Sequence, residues 1–116
     1  MRRLDLPSLR AAAWTVRALL EARWRLRRGL PRRRVAGPPR LPAAAERGVA
    51  AVLRRVPATC LERALVRQRW EAAHGVPRQV VIGVRGPGTD FRAHAWLDGT
   101  PDPLAHEYEE LTRLDP

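Results

Sequence analysis

Residues 59–99 read TCLERALVRQRWEAAHGVPRQVVIGVRGPGTDFRAHAWLDG, a stretch whose pattern changes from helix to strand part-way along. Thr59 is followed three positions later by a glutamate, which is the spacing of a capping box, and apolar residues then recur at helical steps as far as Gly75. The stretch therefore predicts a helix over residues 60–74 that begins at Cys60.

A β-hairpin is predicted after this helix. The segment 80–84 is rich in valine and isoleucine, and the segment 91–97 alternates between polar and apolar residues. The run 85–90 between them is rich in glycine and proline, which favours a turn between two antiparallel strands. An Asp-Gly pair follows, so we expect the chain to fold back again into a third, proline-broken strand from Thr100 onward.

Two further helices are predicted upstream. The first runs from Pro7 to just before Gly29. A proline- and arginine-rich connector follows, and the second helix opens at Pro42 and stops ahead of Pro57. Helices followed by an antiparallel sheet predict an α+β fold. The first helix carries an apolar stripe at steps of three and four residues, formed by Leu9, Ala13, Val16, Leu20 and Trp24.

Charge is distributed unevenly along the 116 residues of the chain. Residues 1–40 contain twelve arginines and two acids, whereas residues 41–116 contain ten arginines and ten acids, so the whole net charge of +10 lies in the first third. We interpret residues 1–40 as an arginine-rich helix with its connector, and residues 41–116 as the core that carries the chemistry. The basic block suits nucleic acid, an anionic membrane surface or an acidic partner protein.

Length and composition exclude several classes of protein. A chain of this size fits one domain, which excludes a two-domain enzyme. Arginines interrupt the apolar stretches well before the roughly eighteen residues that a bilayer span needs, and no signal-peptide core follows the basic start, so we expect a soluble cytoplasmic protein. The single cysteine excludes an internal disulfide, and the spacing of Cys60, His74, His94 and His106 is not that of a metal site.

Cys60 lies at the first position of the predicted helix, where free backbone N–H groups and the helix dipole stabilise a thiolate. This is the environment of a nucleophilic cysteine. On position alone, the alternative is a small apolar side chain that faces the core.

His94 lies in the segment 91–97, whose side chains alternate between the two faces of the sheet. It shares one face with Trp96, while the small and aliphatic residues between them have the composition of a core face. A helix that covers the face of His94 with its cysteine end would form a nucleophile and base pair with Cys60. A structural strand histidine is the alternative.

Two motifs, CLERAL at residues 60–65 and HAWLDG at residues 94–99, occur in this order on the predicted helix and hairpin. Together they resemble the transglutaminase-type leader peptidases of lasso-peptide biosynthesis, the B2 proteins, over residues 40–112. The resemblance implies a papain-like core of one helix against an antiparallel sheet. It also implies a Cys-His-Asp cysteine peptidase in which Cys60 is the nucleophile and His94 is the base.

Asp102 is the candidate for the third member of the triad, although the family's aspartate usually follows the Asp-Gly turn at a longer interval. Asp98 shares a face with His94, but four strand residues separate the two side chains by about 13 Å, so we expect Asp98 to make the turn. Asp102 faces the side of His94 if a three-residue loop pairs it with Trp96, and a two-residue loop would turn it away.

The resemblance also implies a substrate and partners. The substrate is a ribosomally made precursor peptide, cut between leader and core, and a separate ATP-dependent lasso cyclase then joins the freed core amine to a side-chain carboxylate. The chain has no N-terminal region long enough for a leader-recognition domain, so we expect it to need a separate leader-binding protein of the B1 type. No cofactor, metal or nucleic acid is implied.

Other interpretations stay open at this point. A relative that binds peptides without cleaving them would keep the same fold. An arginine-rich nucleic-acid-binding module is the rival from another class, since clustered arginines bind phosphate without a specific fold. A further hypothesis is that the basic region docks on an acidic surface of the leader-binding protein or of the leader. His74, at a helix end, is interpreted as a residue that caps carbonyl groups.

Overall fold

The computed structural model describes residues 5–29, 35–86 and 91–116. The helices and strands are α1 (Leu6–Arg27), α2 (Glu46–Arg55), α3 (Cys60–Ala73), β1 (Val80–Arg85), β2 (Arg92–Leu97) and β3 (Glu109–Leu114). The α+β class predicted from the sequence is therefore confirmed. The tip of the predicted hairpin, residues 87–90, lies outside the described ranges. Within those ranges, no helix is long and apolar enough to cross a bilayer.

Helix α1 begins and ends close to the predicted positions. The Asp5 carboxylate accepts a hydrogen bond from the Ser8 N–H at 2.9 Å, which caps the first turn. Gly29 has a φ of +69°, a left-handed conformation that ends the helix. The buried face of α1 consists mainly of small residues, namely Ser8, Ala11, Trp14, Thr15, Ala18, Leu19 and Ala22.

The apolar stripe found in the sequence lies on the opposite side of α1, toward solvent. Leu9, Leu20 and Trp24 of this stripe are 52%, 60% and 51% exposed. The small residues on the inner face of α1 allow the backbone of α2 to come close to it. Helix α1 thus has two distinct faces, one packed against the core and one without a partner among the described residues.

Helices α1, α2 and α3 share one buried cluster. Gly48 of α2 lies so close to α1 that a side-chain carbon there would overlap the carbonyl oxygen of Ser8. Trp14 packs against Trp70 of α3 with ring centroids 5.9 Å apart, and its indole N–H donates to the Ala36 carbonyl at 3.1 Å. Residues on both sides of position 40 contribute to this cluster, and the division into residues 1–40 and 41–116 stays a prediction.

Helix α3 begins with the predicted capping box. The Thr59 hydroxyl accepts from the Glu62 N–H at 3.1 Å, and the Glu62 carboxylate accepts from the Thr59 N–H at 2.9 Å. Arg23 of α1 donates to both oxygens of the same carboxylate, at 3.0 and 3.2 Å, and to the carbonyl of Pro57 at 3.0 Å. The first turn of α3 is therefore fixed by its own cap and by α1.

The sheet has the order β2-β1-β3, and both outer strands pair antiparallel with β1. The predicted hairpin of β1 and β2 is present, but the prediction of a third strand from Thr100 is wrong, because β3 begins at Glu109 and pairs with β1. Pro101 and Pro103, which follow the Asp-Gly turn, have no N–H group to donate to a neighbouring strand. At the outer edge of β2, the Ala95 N–H is already taken, because it donates to the Cys60 thiol.

One face of the sheet packs against α3. The residues of this second cluster are Ala64, Val80, Ala95, Leu97 and Leu114, with Cys60, Leu61, Leu65 and Ile82 beside them. The arrangement considered from the sequence, with α3 over the face of His94, is not the one observed, because the helix covers the face of Ala95 and Leu97. Cys60 instead contacts the outer edge of β2 at Ala95, the neighbour of His94.

Candidate active site

Cys60 is the first residue of α3 and is half-buried. Its Sγ accepts a hydrogen bond from the Ala95 N–H at 3.4 Å, which holds the thiol against the edge of β2 next to His94. At the start of a helix the first N–H groups have no intrahelical acceptor. The Glu62 N–H is taken by the Thr59 hydroxyl, and the N–H groups of Cys60 and Leu61 belong to the same first turn.

His94 and Asp102 form a hydrogen bond of 3.0 Å between Nε2 and Oδ2. Their side chains are 16% and 19% exposed. Asp102 lies in the loop between β2 and β3, so the predicted pairing with Trp96 in a third strand is wrong, although the carboxylate does lie beside His94. The other oxygen, Oδ1, accepts from the Leu104 N–H at 2.8 Å and so fixes the orientation of the carboxylate.

The charge state of Asp102 determines which nitrogen of His94 carries a proton. Burial raises the pKa of Asp102, but hydrogen bonds from His94 and from the backbone at Leu104 and Ala105 outweigh this effect and lower the pKa below 3.8. Asp102 is therefore an ionised acceptor at neutral pH, and Nε2 of His94 must donate to it. In the neutral imidazole, Nδ1 is then the free base.

Two aromatic rings contact the imidazole of His94. Trp96 is stacked on it with centroids 5.6 Å apart, and Tyr108 lies on it with centroids 5.2 Å apart. Gly83 of β1 lies under these rings, and a Cβ there would be 2.8 Å from Tyr108 and 2.9 Å from Trp96. The sequence reasoning missed Tyr108 and Gly83. The available signal was Gly83 itself. A glycine inside a strand of branched residues often marks a place where another group lies close to the backbone.

Cys60, His94 and Asp102 all line one cleft of about 590 Å³ between α3 and β2. Among the described residues no hydrogen bond joins the thiol and the imidazole, and both groups line the same cleft. The rest of the lining is largely apolar, with charged side chains at the rim: Glu46, Arg63, Ala64, Arg67, Trp70, Glu71, Ala95, Trp96, Leu97, Thr100 and Pro101.

The remaining polar candidates lie outside the cleft. The ring nitrogens of His74 lie 2.8 Å from the Trp70 carbonyl and 3.0 Å from the Leu41 carbonyl, in agreement with the predicted capping role. The Asp98 carboxylate accepts from Arg113 at 2.9 Å, next to the turn at Gly99. No three potential metal ligands lie close together in the described part of the chain.

A cysteine at the start of a helix that packs on an antiparallel sheet, beside a histidine held by a carboxylate, is the arrangement that chemistry with a cysteine nucleophile needs. The chain matches the transglutaminase-like superfamily over residues 4–115 and belongs to it. This superfamily includes cysteine peptidases. No curated protein and no solved structure matches the chain.

Proposed function

We propose that the protein is a cysteine peptidase that removes the leader from a ribosomally made lasso precursor peptide. The observation that carries this proposal is the arrangement in the cleft: the Cys60 thiol at a helix start lies beside His94, whose Nε2 is held by Asp102 at 3.0 Å. This is the set of groups that acyl transfer through a thiolate needs.

In the proposed reaction, Nδ1 of His94 takes the proton of the Cys60 thiol, and the thiolate attacks the carbonyl carbon of the scissile amide. The Cys60 N–H stabilises the oxyanion of the tetrahedral intermediate. His94 then gives its proton to the departing amine, which leaves a thioester on Cys60. Water hydrolyses the thioester with His94 as the base, while Asp102 holds the imidazole and stabilises its cation.

The position of β2 supports a peptide as the substrate. This strand is at the edge of the sheet, and the Asp98 N–H bonds to the Gln79 carbonyl on the side of β1 at 2.9 Å. Since strand residues alternate, the backbone groups of Ala95 and Leu97 point away from β1, and both residues line the cleft. The Cys60 thiol takes the Ala95 N–H and Thr100 takes the Leu97 carbonyl. An extended peptide can pair with the two remaining groups, the Ala95 carbonyl and the Leu97 N–H, beside the thiol.

The finer assignment rests on the resemblance of the motifs at residues 60–65 and 94–99 to lasso leader peptidases. With it come the partners that we propose: the precursor peptide, a separate leader-binding protein of the B1 type, and an ATP-dependent cyclase that uses the freed core amine. We propose a cytoplasmic location for the reaction, where the precursor is made.

A cleavage assay tests the proposal. A lasso precursor peptide and a leader-binding protein of the B1 type are incubated with wild type, Cys60→Ala, His94→Ala and His106→Ala, and the products are identified by mass spectrometry. We expect one cut between leader and core for wild type and for His106→Ala, whose histidine is exposed outside the cleft, and no product for Cys60→Ala or His94→Ala. Circular dichroism confirms that each variant is folded.

Two outcomes would contradict the proposal. If folded wild type binds the precursor by fluorescence anisotropy without cutting it, the protein is a non-catalytic peptide-binding relative. If the cut persists in Cys60→Ala, the thiol is not the nucleophile.

A further inference from the structure

Helix α1 carries an exposed line of apolar residues whose spacing alternates between three and four. These residues are Leu6, Leu9, Ala13, Val16 and Leu20, and we call them the α1 seam. All five are exposed, Leu6 and Leu20 at 70% and 60%. Alternating steps of three and four put them at positions a and d of consecutive heptads, which is the pattern of helix-on-helix packing.

The width of the seam distinguishes a helix partner from a membrane surface. At 100° per residue the seam covers about 80° of the helix circumference. An apolar stripe confined to a and d is the narrow contact line of a coiled coil, whereas a helix lying in a bilayer surface needs a broader apolar face. The inner half of α1 cannot supply that breadth, because it is buried against α2 and α3.

The charges beside the seam indicate the chemistry of the partner. Arg10 and Arg17 are exposed at the e positions that flank it, and neither forms an ion pair within the described part of the chain. Residues at e and g of a partner helix lie opposite such positions and set partner choice through their charge. Carboxylates are therefore the matching groups.

The α1 helix of a second copy of this chain does not provide those carboxylates. In an antiparallel pair of α1 helices, the e positions face each other, so Arg10 and Arg17 would meet arginines. In a parallel pair they would face the g positions, which in the same two heptads are Ala12 and Leu19. Neither arrangement neutralises the two guanidinium groups.

We propose that the α1 seam docks one amphipathic helix of another protein, a helix with leucine-type residues at a and d and with glutamate or aspartate at its flanking positions. The docked helix forms an additional layer on the outside of α1. The cleft on the far side of α3 stays open, because α1 contributes no residue to its lining.

The test uses the full chain, because α1 is part of the core and cannot be deleted cleanly. The probe is a fluorescently labelled synthetic helix about three heptads long, with leucine at a and d and glutamate at e and g; a second probe has lysine in place of glutamate. Anisotropy is measured for wild type, Leu9→Glu/Leu20→Glu, Arg10→Glu/Arg17→Glu and a control, Leu111→Glu/Arg54→Glu, that changes exposed residues elsewhere.

We expect wild type and control to bind the glutamate probe at least roughly tenfold more tightly than the lysine probe, and Arg10→Glu/Arg17→Glu to reverse that preference. Leu9→Glu/Leu20→Glu should abolish binding. Equal binding of the two probes, no binding of the glutamate probe by folded protein, or binding that survives Leu9→Glu/Leu20→Glu overturns the proposal. Concentration-dependent dimerisation in sedimentation, or stronger binding to phosphatidylglycerol vesicles than to the probe, overturns it in favour of a second copy or a membrane.

Discussion

The role of a single carboxylate, Asp102, follows from the atoms that it touches. It binds Nε2 of His94 and is itself held by the Leu104 N–H, so it fixes both the tautomer and the orientation of the imidazole. An amide at this position could still occupy the space, but it could not stabilise the imidazolium that forms during the reaction.

We expect Asp102→Asn to lower kcat for leader cleavage by roughly 10²- to 10⁴-fold, with a much smaller change in KM. The matched control is Asp98→Asn, four residues earlier, because that carboxylate binds Arg113 outside the cleft. The measurement is steady-state cleavage kinetics followed by mass spectrometry. Equal rates for the two variants would show that Asp102 does not act on His94.

The same contacts determine how the ionisation of Asp102 affects the pH dependence of the cleavage rate. Its pKa lies below 3.8, so the carboxylate is ionised through the neutral range and contributes no acid limb to the rate profile above about pH 4. Any stability that its ionised form contributes is present above its usual pKa and is lost only as the pH falls through the lowered value.

Among the elements, the start of α3 depends on the ion pair between Glu62 and Arg23. The hydrogen bonds from Arg23 lower the pKa of Glu62, burial opposes this, and the Thr59 N–H lowers it further, so that the pKa lies below 4.5. Folding therefore favours the ionised carboxylate. This stabilisation is fully present above pH 4.5 and is lost as the pH falls through the lowered pKa of the folded protein.

We expect Glu62→Gln to reduce the free energy of unfolding at pH 7 by about 1–3 kcal/mol. Because the Arg23 side chain is 35% exposed, solvent screening keeps the loss in the lower part of that range. The difference from wild type should shrink below pH 4.5, where Glu62 of the unfolded wild type becomes protonated. Urea unfolding followed by tryptophan fluorescence measures both effects.

The control for Glu62→Gln is Glu46→Gln. Glu46 pairs with Arg67, but the two side chains are 44% and 35% exposed, so the loss should stay below about 1 kcal/mol. If Glu46→Gln lowers the free energy of unfolding as much as Glu62→Gln does, then the buried ion pair at the helix cap stabilises the fold no more than an exposed pair.

The contact between α1 and α2 predicts that replacing a helical glycine by alanine destabilises the protein, which is the opposite of the usual effect. Glycine to alanine inside a helix normally stabilises by about 1 kcal/mol. Gly48→Ala should instead destabilise the protein by about 1–3 kcal/mol, because the added carbon overlaps the Ser8 carbonyl and forces the two helices apart. Urea unfolding measures the change, with the exposed Arg54→Ala of the same helix as control, and a stabilised Gly48→Ala would contradict the close contact.

The sequence predicted the local elements better than their arrangement. The capping box at Thr59, the hairpin alternation and the helix stop at Gly29 are signals carried by neighbouring residues, and each was confirmed. The partner of β3 depends on which edge of the sheet is free. At the outer edge of β2 the Ala95 N–H is taken by Cys60, which lies 35 residues earlier in the chain, and no local pattern indicates this contact.

The candidate site was predictable to a similar degree. Cys60 and His94 were candidates from their places on a helix and a strand, and the resemblance of the two motifs gave them the roles of nucleophile and base. Asp102 was the candidate for the third member of that triad. The reasoning for Asp102 assumed a strand, whereas a loop held by the Leu104 N–H brings it to His94. Which side of α1 is buried was also not predictable, because small residues face a close neighbour and leucines can remain outside.

For the molecule as a whole, composition and packing divide the chain differently. Charge and proline content separate residues 1–40 from residues 41–116. The buried cluster joins them, because α1 supplies Trp14 and Leu19 to the same core as Val49 and Val66. The arginine-rich region is therefore both the basic part of the surface and one wall of the core.

This double role predicts the behaviour of a fragment that contains residues 41–116 alone. Without α1, the apolar side chains of α2 and α3 that it covers face water, and Glu62 loses Arg23 as its partner. We expect the fragment to show no cooperative thermal transition and little near-ultraviolet circular dichroism, since a core of this size leaves only a small margin of stability. Adding a synthetic peptide of residues 5–29 should restore part of both signals, and a peptide in which Trp14 and Leu19 are replaced by glutamate should not. A fragment that unfolds cooperatively on its own, with cleavage activity intact, would instead make residues 1–40 an appendage and place the peptidase core entirely within residues 41–116.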